Sequence, residues 1–305
     1  MKDVIIIGAG TAGLSAAIYT VRAGKSALVL EAAAYGGQII NTPDIENYPG
    51  IAHISGFDFA TGLYNQAKDL GAEIVFERVT GIREEGDHKV VETGNGQQYE
   101  AKAVIIATGA KNRTLGLPME KELVGKGVSY CATCDGMFFR NKVVAVNGGG
   151  NTAVEDAAFL ANYCAKVYII HRRDQFRADE AEVERLRKKE NVEFVLNSTI
   201  TKLNRDTNGL TSIEVADKIS GETRTLEIAG LFVAIGQAPD NSAFANVANL
   251  DEKGYVTAGE DLLTGTPGIF TAGDCRTKSV RQLTTAASDG AVAALAAATY
   301  IDALK

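Results

Sequence analysis

Cysteine is scarce in this chain: Cys131, Cys134, Cys164 and Cys275 are the only four in 305 residues. That is too few for the cross-linked framework of a secreted protein of this length. A long apolar run is also missing from the start, where Val4 to Ile7 is far too short for a leader or a membrane span and leads straight into glycines. Basic charge is not in excess either. A formal net charge of -7 argues against a broad nucleic-acid surface, and the longest basic run, Arg185 to Lys189, falls on a predicted helix and reads as a solvated face. These shortages point to a cytoplasmic protein with no membrane association and no nucleic-acid partner. Otherwise the composition is ordinary for a globular protein, 46% hydrophobic and 23% charged, and the length allows two domains with full cores.

Two of the four cysteines stand close together, in Tyr130-Cys131-Ala132-Thr133-Cys134-Asp135. The spacing suits a reversible disulfide, because a small ring opens and closes with little backbone movement. By itself the motif fits half of a zinc site or two ordinary buried cysteines as well. Its surroundings favour redox chemistry, since glycine-rich phosphate-binding patterns flank it on both sides.

The first pattern is a β-branched run, Val4 to Ile7, then Gly8-Ala9-Gly10-Thr11-Ala12-Gly13, an apolar-periodic helix to Gly24, and a second strand, Ala27 to Leu30, that ends on Glu31. Gly8 permits the tight turn, Gly10 lets the backbone approach a pyrophosphate, and Gly13 allows close helix packing, with the helix N-terminus toward the phosphate. Glu31 is placed to accept hydrogen bonds from an unphosphorylated ribose. Gly36-Gly37-Gln38 and Glu46-Asn47-Tyr48-Pro49-Gly50 read as loops that could wrap a large cofactor, though each singly also fits a polar turn. A helix is predicted over Gly56 to Leu70, then an antiparallel meander with turns at Gly86-Asp87 and Gly94-Asn95-Gly96. The buried strand from Val104 ends on Thr108-Gly109, small enough for a nucleotide to lie close, and Lys111 to Pro118 reads as a linker.

After the cysteines the pattern restarts 140 residues on: Gly148, Gly150 and Ala153 repeat Gly8, Gly10 and Gly13, within Gly148-Gly149-Gly150-Asn151-Thr152-Ala153. A helix to Tyr163 and a strand from Val167 to Ile170 follow. Where the first unit has Glu31, the second has His171-Arg172-Arg173, with Arg177 four residues on. A carboxylate would repel a ribose 2′-phosphate, whereas guanidinium groups grip it in a forked, charge-assisted geometry, so this unit should prefer NADPH. A charged helix over Asp179 to Glu190 and hairpins at Asn208-Gly209 and Ser220-Gly221 come next, and Leu231 to Gly236 repeats the ending seen at Val104 to Gly109. The second unit is then complete. The remaining strand, ending in Gly273-Asp274, and the helix from Ala286 to Leu304 most simply return to the first unit. The fold class expected is therefore α/β, with one nucleotide domain inserted in another: residues 1-112 and 243-305 form the outer domain, 113-242 the inserted one.

Taken together, GAGTAG, GGQ, ENYPG, ATG, CATCDG, GGGNTA, HRRDQFRA, AIG and TAGD resemble, in order and spacing over essentially the whole chain, the bacterial-type low-molecular-weight thioredoxin reductases. The resemblance implies two Rossmann-like domains of three layers (β/β/α), FAD in the outer domain, a homodimer, and reduction of thioredoxin at the expense of NADPH. It implies that Asp274 meets the ribityl chain and that Arg281, Gln282 and Leu283 lie near the isoalloxazine. It further implies that Cys134 faces the flavin, Cys131 attacks thioredoxin, and Asp135 is the acid/base. The sequence departs from the family pattern at Asn147 and over Gly236 to Asp240. The disulfide and the nicotinamide belong to one inserted domain and both must reach the flavin, so a rotation of that domain is expected. Competing readings are a flavoprotein reducing a peroxiredoxin-type partner, for which the usual extra N-terminal thioredoxin-like part is absent, one oxidising small dithiols, a flavin-bearing redox sensor, and a zinc scaffold using all four cysteines. Cys164 and Cys275 read as core or loop thiols.

Overall fold

The computed structural model of the chain describes residues 1–304. It divides into two compact units, Met1–Lys111 with Ala238–Lys305 and, between them in sequence, Asn112–Gln237. The chain begins with β1 (Lys2–Ile7), α1 (Thr11–Arg22), β2 (Ala27–Leu30), α2 (Gly56–Asp69), β3 (Glu73–Val75), β4 (Val79–Glu85), β5 (His88–Thr93), β6 (Gln98–Ile106) and β7 (Ala110–Asn112). The middle contributes β8 (Val128–Ser129), α3 (Ala132–Asp135), β9 (Val143–Asn147), α4 (Asn151–Leu160), β10 (Lys166–Ile170), α5 (Glu180–Arg187) and β11 (Val192–Val195). There follow β12 (Ser198–Arg205), β13 (Leu210–Asp217), β14 (Thr223–Glu227), β15 (Gly230–Val233), β16 (Gln237–Pro239), β17 (Ile269–Thr271) and α6 (Leu283–Ala303).

In the first unit the sheet runs β3-β2-β1-β6-β5-β4, with β17 also on β6. β6 is long enough to serve two neighbours: its first half pairs antiparallel with β5, and its end pairs parallel with β17 through Val104↔Ile269 and Ile106↔Thr271. The central strands bury both faces, so their apolar runs are continuous. Val4, Ile6, Val29 and Ile105 pack under Leu14, Ala17 and Ile18 of α1 and Ala293, Ala294 and Ala297 of α6. Ile5, Ile7, Leu28, Leu30 and Ile106 point the other way, against Ile82 and Val91 of the meander and against Phe244 and Val247. A buried side chain of this size stabilises by about 1.5 to 3 kcal/mol. The alanines of α6 let it approach α1 so closely that a Cβ on Gly290 would lie 2.2 Å from the Ala12 carbonyl oxygen.

The second unit repeats this plan. Its parallel sheet runs β11-β10-β9-β15-β8. One face, with Val144, Val146, Ile169 and Phe232, packs on Val154, Ala157 and Leu160 of α4 and Val183 and Leu186 of α5. The other, with Ala145, Ile170, Leu231 and Val233, packs on Ile200, Ile213, Val215 and Leu226 of the antiparallel β12-β13-β14 meander.

Several boundaries differ from the sequence reading. The second crossing falls at Gln237 and Ala238 rather than at 242, because Asn241 is tied into the first unit by its amide, which donates to the Gly254 and Cys275 carbonyls at 2.9 Å each. α4 stops at Leu160 instead of Tyr163, its end tightened by bonds from Asn162 to Phe159 and from Tyr163 to Leu160. α5 covers only Glu180–Arg187, with Asp179 as its cap. α6 starts at Leu283, three residues early, because Gln282 and Thr285 form a reciprocal capping box.

Candidate active site

In the first unit the glycine loop is built by exclusion. A Cβ on Gly8, which has φ of +110°, would lie 2.4 Å from the Ala107 carbonyl oxygen, and one on Gly13 would lie 1.8 Å from the Gly8 carbonyl oxygen. Around Gly10, by contrast, a Cβ would meet nothing within 4 Å. The loop thus presents open backbone at the start of a twelve-residue helix, whose first N–H groups lack intrahelical partners. Thr11 and Ala12 are buried in that first turn. The Glu31 carboxylate braces the loop, one oxygen accepting from Ala9 N at 2.8 Å and the other from Ala33 N at 3.0 Å.

Residues far apart in sequence gather here. Gly36 bridges to Gly10, and a Cβ on Gly37 would sit 3.4 Å from the Gly10 Cα. Gln38 donates to the Ala110 carbonyl. Asn47 donates to Gln282 at 3.2 Å, joining the Asn47 loop to the start of α6, where Leu283 is the first helical residue. Thr108 donates to Asn241 at 2.7 Å, next to Gly109 with φ of +69°. After β17, Gly273 takes φ of +81°, and a Cβ there would lie 2.7 Å from that of Ala12. Asp274 follows with its Oδ1 buried and without a hydrogen-bond partner. Burial pushes its carboxyl above the ordinary range, against the pull of Lys278 and Arg281. Arg281 stands 4.4 Å over the Tyr255 ring and donates to the Asp274 and Arg276 carbonyls. An open glycine cradle and a buried carboxylate oxygen awaiting a donor fit a dinucleotide bearing a polyol chain.

The second unit holds the thiol chemistry. Cys131 and Cys134 are joined as a disulfide with Cα atoms 5.3 Å apart, Cys131 just before α3 and Cys134 within it. Both are partly exposed. Asp135 points inward: Ser129 donates to its Oδ2 at 2.6 Å, while Oδ1 is buried with no partner. Burial raises the Asp135 pKa, and the Ser129 hydrogen bond opposes this. The Ser129 hydroxyl also accepts from Cys131 N at 3.0 Å, so one side chain orients both the disulfide turn and the acid. On the other side, Tyr130 donates to buried Glu120 at 2.8 Å, and Glu120 accepts from Leu115 and Gly116 as well.

The second glycine loop matches the first in its opening positions. A Cβ on Gly148 would lie 2.3 Å from the Ala234 carbonyl oxygen, Gly150 is open, and Asn151, Thr152 and Ala153 begin α4. Asn151 accepts from Asp179 N at 3.2 Å. Arg172, Arg173 and Arg177 are exposed, and none has a carboxylate partner among the described residues. His171 departs from the expectation that groups it with them. It is buried, bonded through Nε2 to the Gln175 carbonyl, stacked on Phe176, and set where a Cβ on Gly149 would strike its ring at 2.1 Å. Burial and the three arginines lower its pKa, so it is a packing residue beneath the loop rather than a cation facing outward.

Ser129, Asn241, Glu120 and Asp289 escaped the sequence reading. Only Asp289 carried a signal, as a lone acid in the alanine-rich middle of α6. Cys164 and Cys275 are buried in different units, and among the described residues no cysteine joins a group able to hold a metal. No described helix is long and apolar enough to cross a membrane.

Comparison with known proteins agrees with this geometry. Residues 2–290 match the family model described as pyridine nucleotide-disulphide oxidoreductase. The chain is similar to a thioredoxin reductase of Treponema pallidum, 46% identical over 99% of this chain and 98% of that one. It is 43% identical to a thioredoxin reductase of Listeria innocua over 99% of this chain and 95% of the other. Among solved structures, thioredoxin reductase from Streptococcus pyogenes superposes with a TM-score of 0.95 at 39% identity, covering 99% of each chain.

Proposed function

The chain belongs to the pyridine nucleotide-disulphide oxidoreductase family, whose members use a flavin and a pyridine nucleotide, and from that premise we propose that it is an NADPH-dependent thioredoxin-disulfide reductase carrying FAD. The observation that carries the reading is the partly exposed Cys131–Cys134 disulfide with Asp135 behind it, its Oδ1 buried and its pKa raised by burial. It stands in the unit that also holds a glycine loop and three exposed arginines without a carboxylate partner among the described residues. FAD, held by the Gly8–Gly13 loop, Glu31 and Asp274, and NADPH, held by the Gly148–Ala153 loop with Arg172, Arg173 and Arg177, would supply two electrons as hydride.

The chain's own residues do the rest. Opening the disulfide takes two electrons and two protons, and Asp135, its pKa raised by burial, is the proton source beside Cys134. The Cys131 thiolate then attacks the partner's disulfide, forming a mixed disulfide and releasing one partner thiolate, which takes up a proton. Cys134, as thiolate, attacks the Cys131 sulfur, restores the internal disulfide and frees the partner as a dithiol. Ser129 holds Asp135 and the Cys131 backbone in register for both steps. We also propose a cytoplasmic location and a homodimer, the dimer because Val292 and Leu295 leave apolar surface exposed three residues apart on α6.

The test is to add NADPH to purified protein with a panel of thioredoxins and follow reduction of their disulfides. Cys134→Ser should trap Cys131 in a stable adduct with thioredoxin, whereas Cys131→Ser should give none yet keep flavin reduction by NADPH. An adduct seen only with Cys131→Ser reverses the roles, and an adduct with neither removes thioredoxin as the partner.

A further inference from the structure

Next to Asp274 lies a buried ion cluster that the reaction does not use. The Asp289 carboxylate accepts from Arg276 Nε at 2.8 Å, Arg276 Nη2 at 3.1 Å, Lys278 Nζ at 2.9 Å and Gly273 N at 2.9 Å. The side chains of Arg276, Lys278 and Asp289 are 3%, 6% and 8% exposed. One carboxylate therefore holds two buried cations, and one of its bonds goes to the residue immediately before Asp274. Its neighbour Gly290 packs on Ala12, and Ser15 donates to the Ala287 carbonyl at 2.7 Å, so this turn of α6 also backs the first glycine loop.

Asp274 offers a contrast. Its Oδ1 is as buried as the cluster but has no partner, although Lys278 and Arg281 are near enough to pull on its carboxyl. Arg281 is committed to the Tyr255 ring and two carbonyls. Lys278 is committed to Asp289, and Arg276 to Asp289 and, at 3.5 Å, to Glu260. A buried cation that loses its carboxylate is strongly destabilised and seeks another, and the Asp274 carboxylate already lies within the field of Lys278.

Resting on the flavin reading, we propose that Asp289 is a positioning residue that holds Lys278 away from Asp274, leaving the Asp274 carboxylate free to accept a hydroxyl of the flavin's polyol chain. Without Asp289, Lys278 pairs with Asp274 and competes with that hydroxyl. A merely structural Asp289 would lower stability alike in all states. A sequestering one instead lowers flavin affinity in a way that removal of Lys278 cures.

The experiment uses the full-length chain, stripped of flavin and titrated with FAD by quenching of flavin fluorescence, so that no turnover is needed. Asp289→Asn is expected to weaken FAD binding at least about tenfold, the equivalent of roughly one charged hydrogen bond. Asp289→Asn with Lys278→Met should return to within about threefold of the unaltered chain. Equal weakness of single and double variants overturns the proposal, as does unchanged affinity in Asp289→Asn. Lys278→Met alone covers a failure of Asp289→Asn to fold: it should bind FAD within about threefold of the unaltered chain, and a loss near tenfold would mean that Lys278 itself holds the ligand, overturning the idea. No binding by the unaltered chain overturns the flavin reading and this inference with it.

Discussion

In both glycine loops the first glycine is pressed against a carbonyl, Ala107 beneath Gly8 and Ala234 beneath Gly148, and the second, Gly10 or Gly150, faces open space. Both open glycines also precede their helices with extended backbone, ψ of -175° and -179°. The loops part at the third position, Gly13 against Ala153, and at the end of the second strand, Glu31 against His171-Arg172-Arg173. Backbone shape, common to both, is what any pyrophosphate needs. On the proposed reading the side chains at the strand end differ because they would meet the ribose, where the two nucleotides differ by a phosphate. Glu31 turns its charge into bracing the loop through Ala9 and Ala33. In the second unit a packed histidine lies under the loop, and the arginines are exposed.

Exchanging the third positions should break the comparison most sharply. Gly13→Ala puts a Cβ 1.8 Å from a backbone carbonyl, and the loop must shift, at about 3 kcal/mol or more. Ala153→Gly should cost only about 1 kcal/mol, the helix penalty of glycine. Denaturant unfolding with flavin content measured alongside checks both, and equal losses would mean that the loops are not packed alike. The strand-end difference is tested by Arg172→Ala with Arg173→Ala, which should weaken NADPH binding at least about tenfold and leave NADH nearly unchanged. Equal loss for both coenzymes in a binding titration would take the 2′-phosphate away from these arginines.

The smallest effect concerns the helices behind the loops. α1 carries no carboxylate, whereas α4 carries Glu155 and Asp156. Burial, reinforced by Glu155, pushes the Asp156 carboxyl up to about 7. Because the folded chain holds this proton more tightly than the unfolded one, its stabilising contribution is complete below about pH 4 and is lost as pH rises through about 7. Asp156→Asn should therefore raise stability at pH 8 and do little at pH 4. Asp156 is partly exposed, so water screens the charge and the gain should be about 1 kcal/mol rather than the full value of the shift. Melting temperatures of the two proteins across that range give the answer, and a constant difference would show that Asp156 does not titrate there.

Spacing along the chain determined a great deal of this protein. The tight turns at Gly8 and Gly148, the disulfide of Cys131 and Cys134, the 140-residue repeat and the exchange of Glu31 for arginines are all local patterns, and backbone sterics and charge make each legible without a partner. Strand geometry puts Ile5 and Ile6 on opposite faces of β1, because successive strand residues must point apart, but the continuous apolar run does not say what each face meets. Only the tertiary structure decided what lies across from them. It packed α6 on α1, brought Gly36 to Gly10 and Asn47 to Gln282, turned His171 inward under Gly149, and set Ser129 between Cys131 and Asp135. It also left Asp274 Oδ1 buried without a hydrogen-bond partner while binding Asp289 to Arg276 and Lys278. Those outcomes rest on desolvation and on contacts between residues distant in sequence, and a buried carboxylate reads the same along the chain as an exposed one until the fold removes its water.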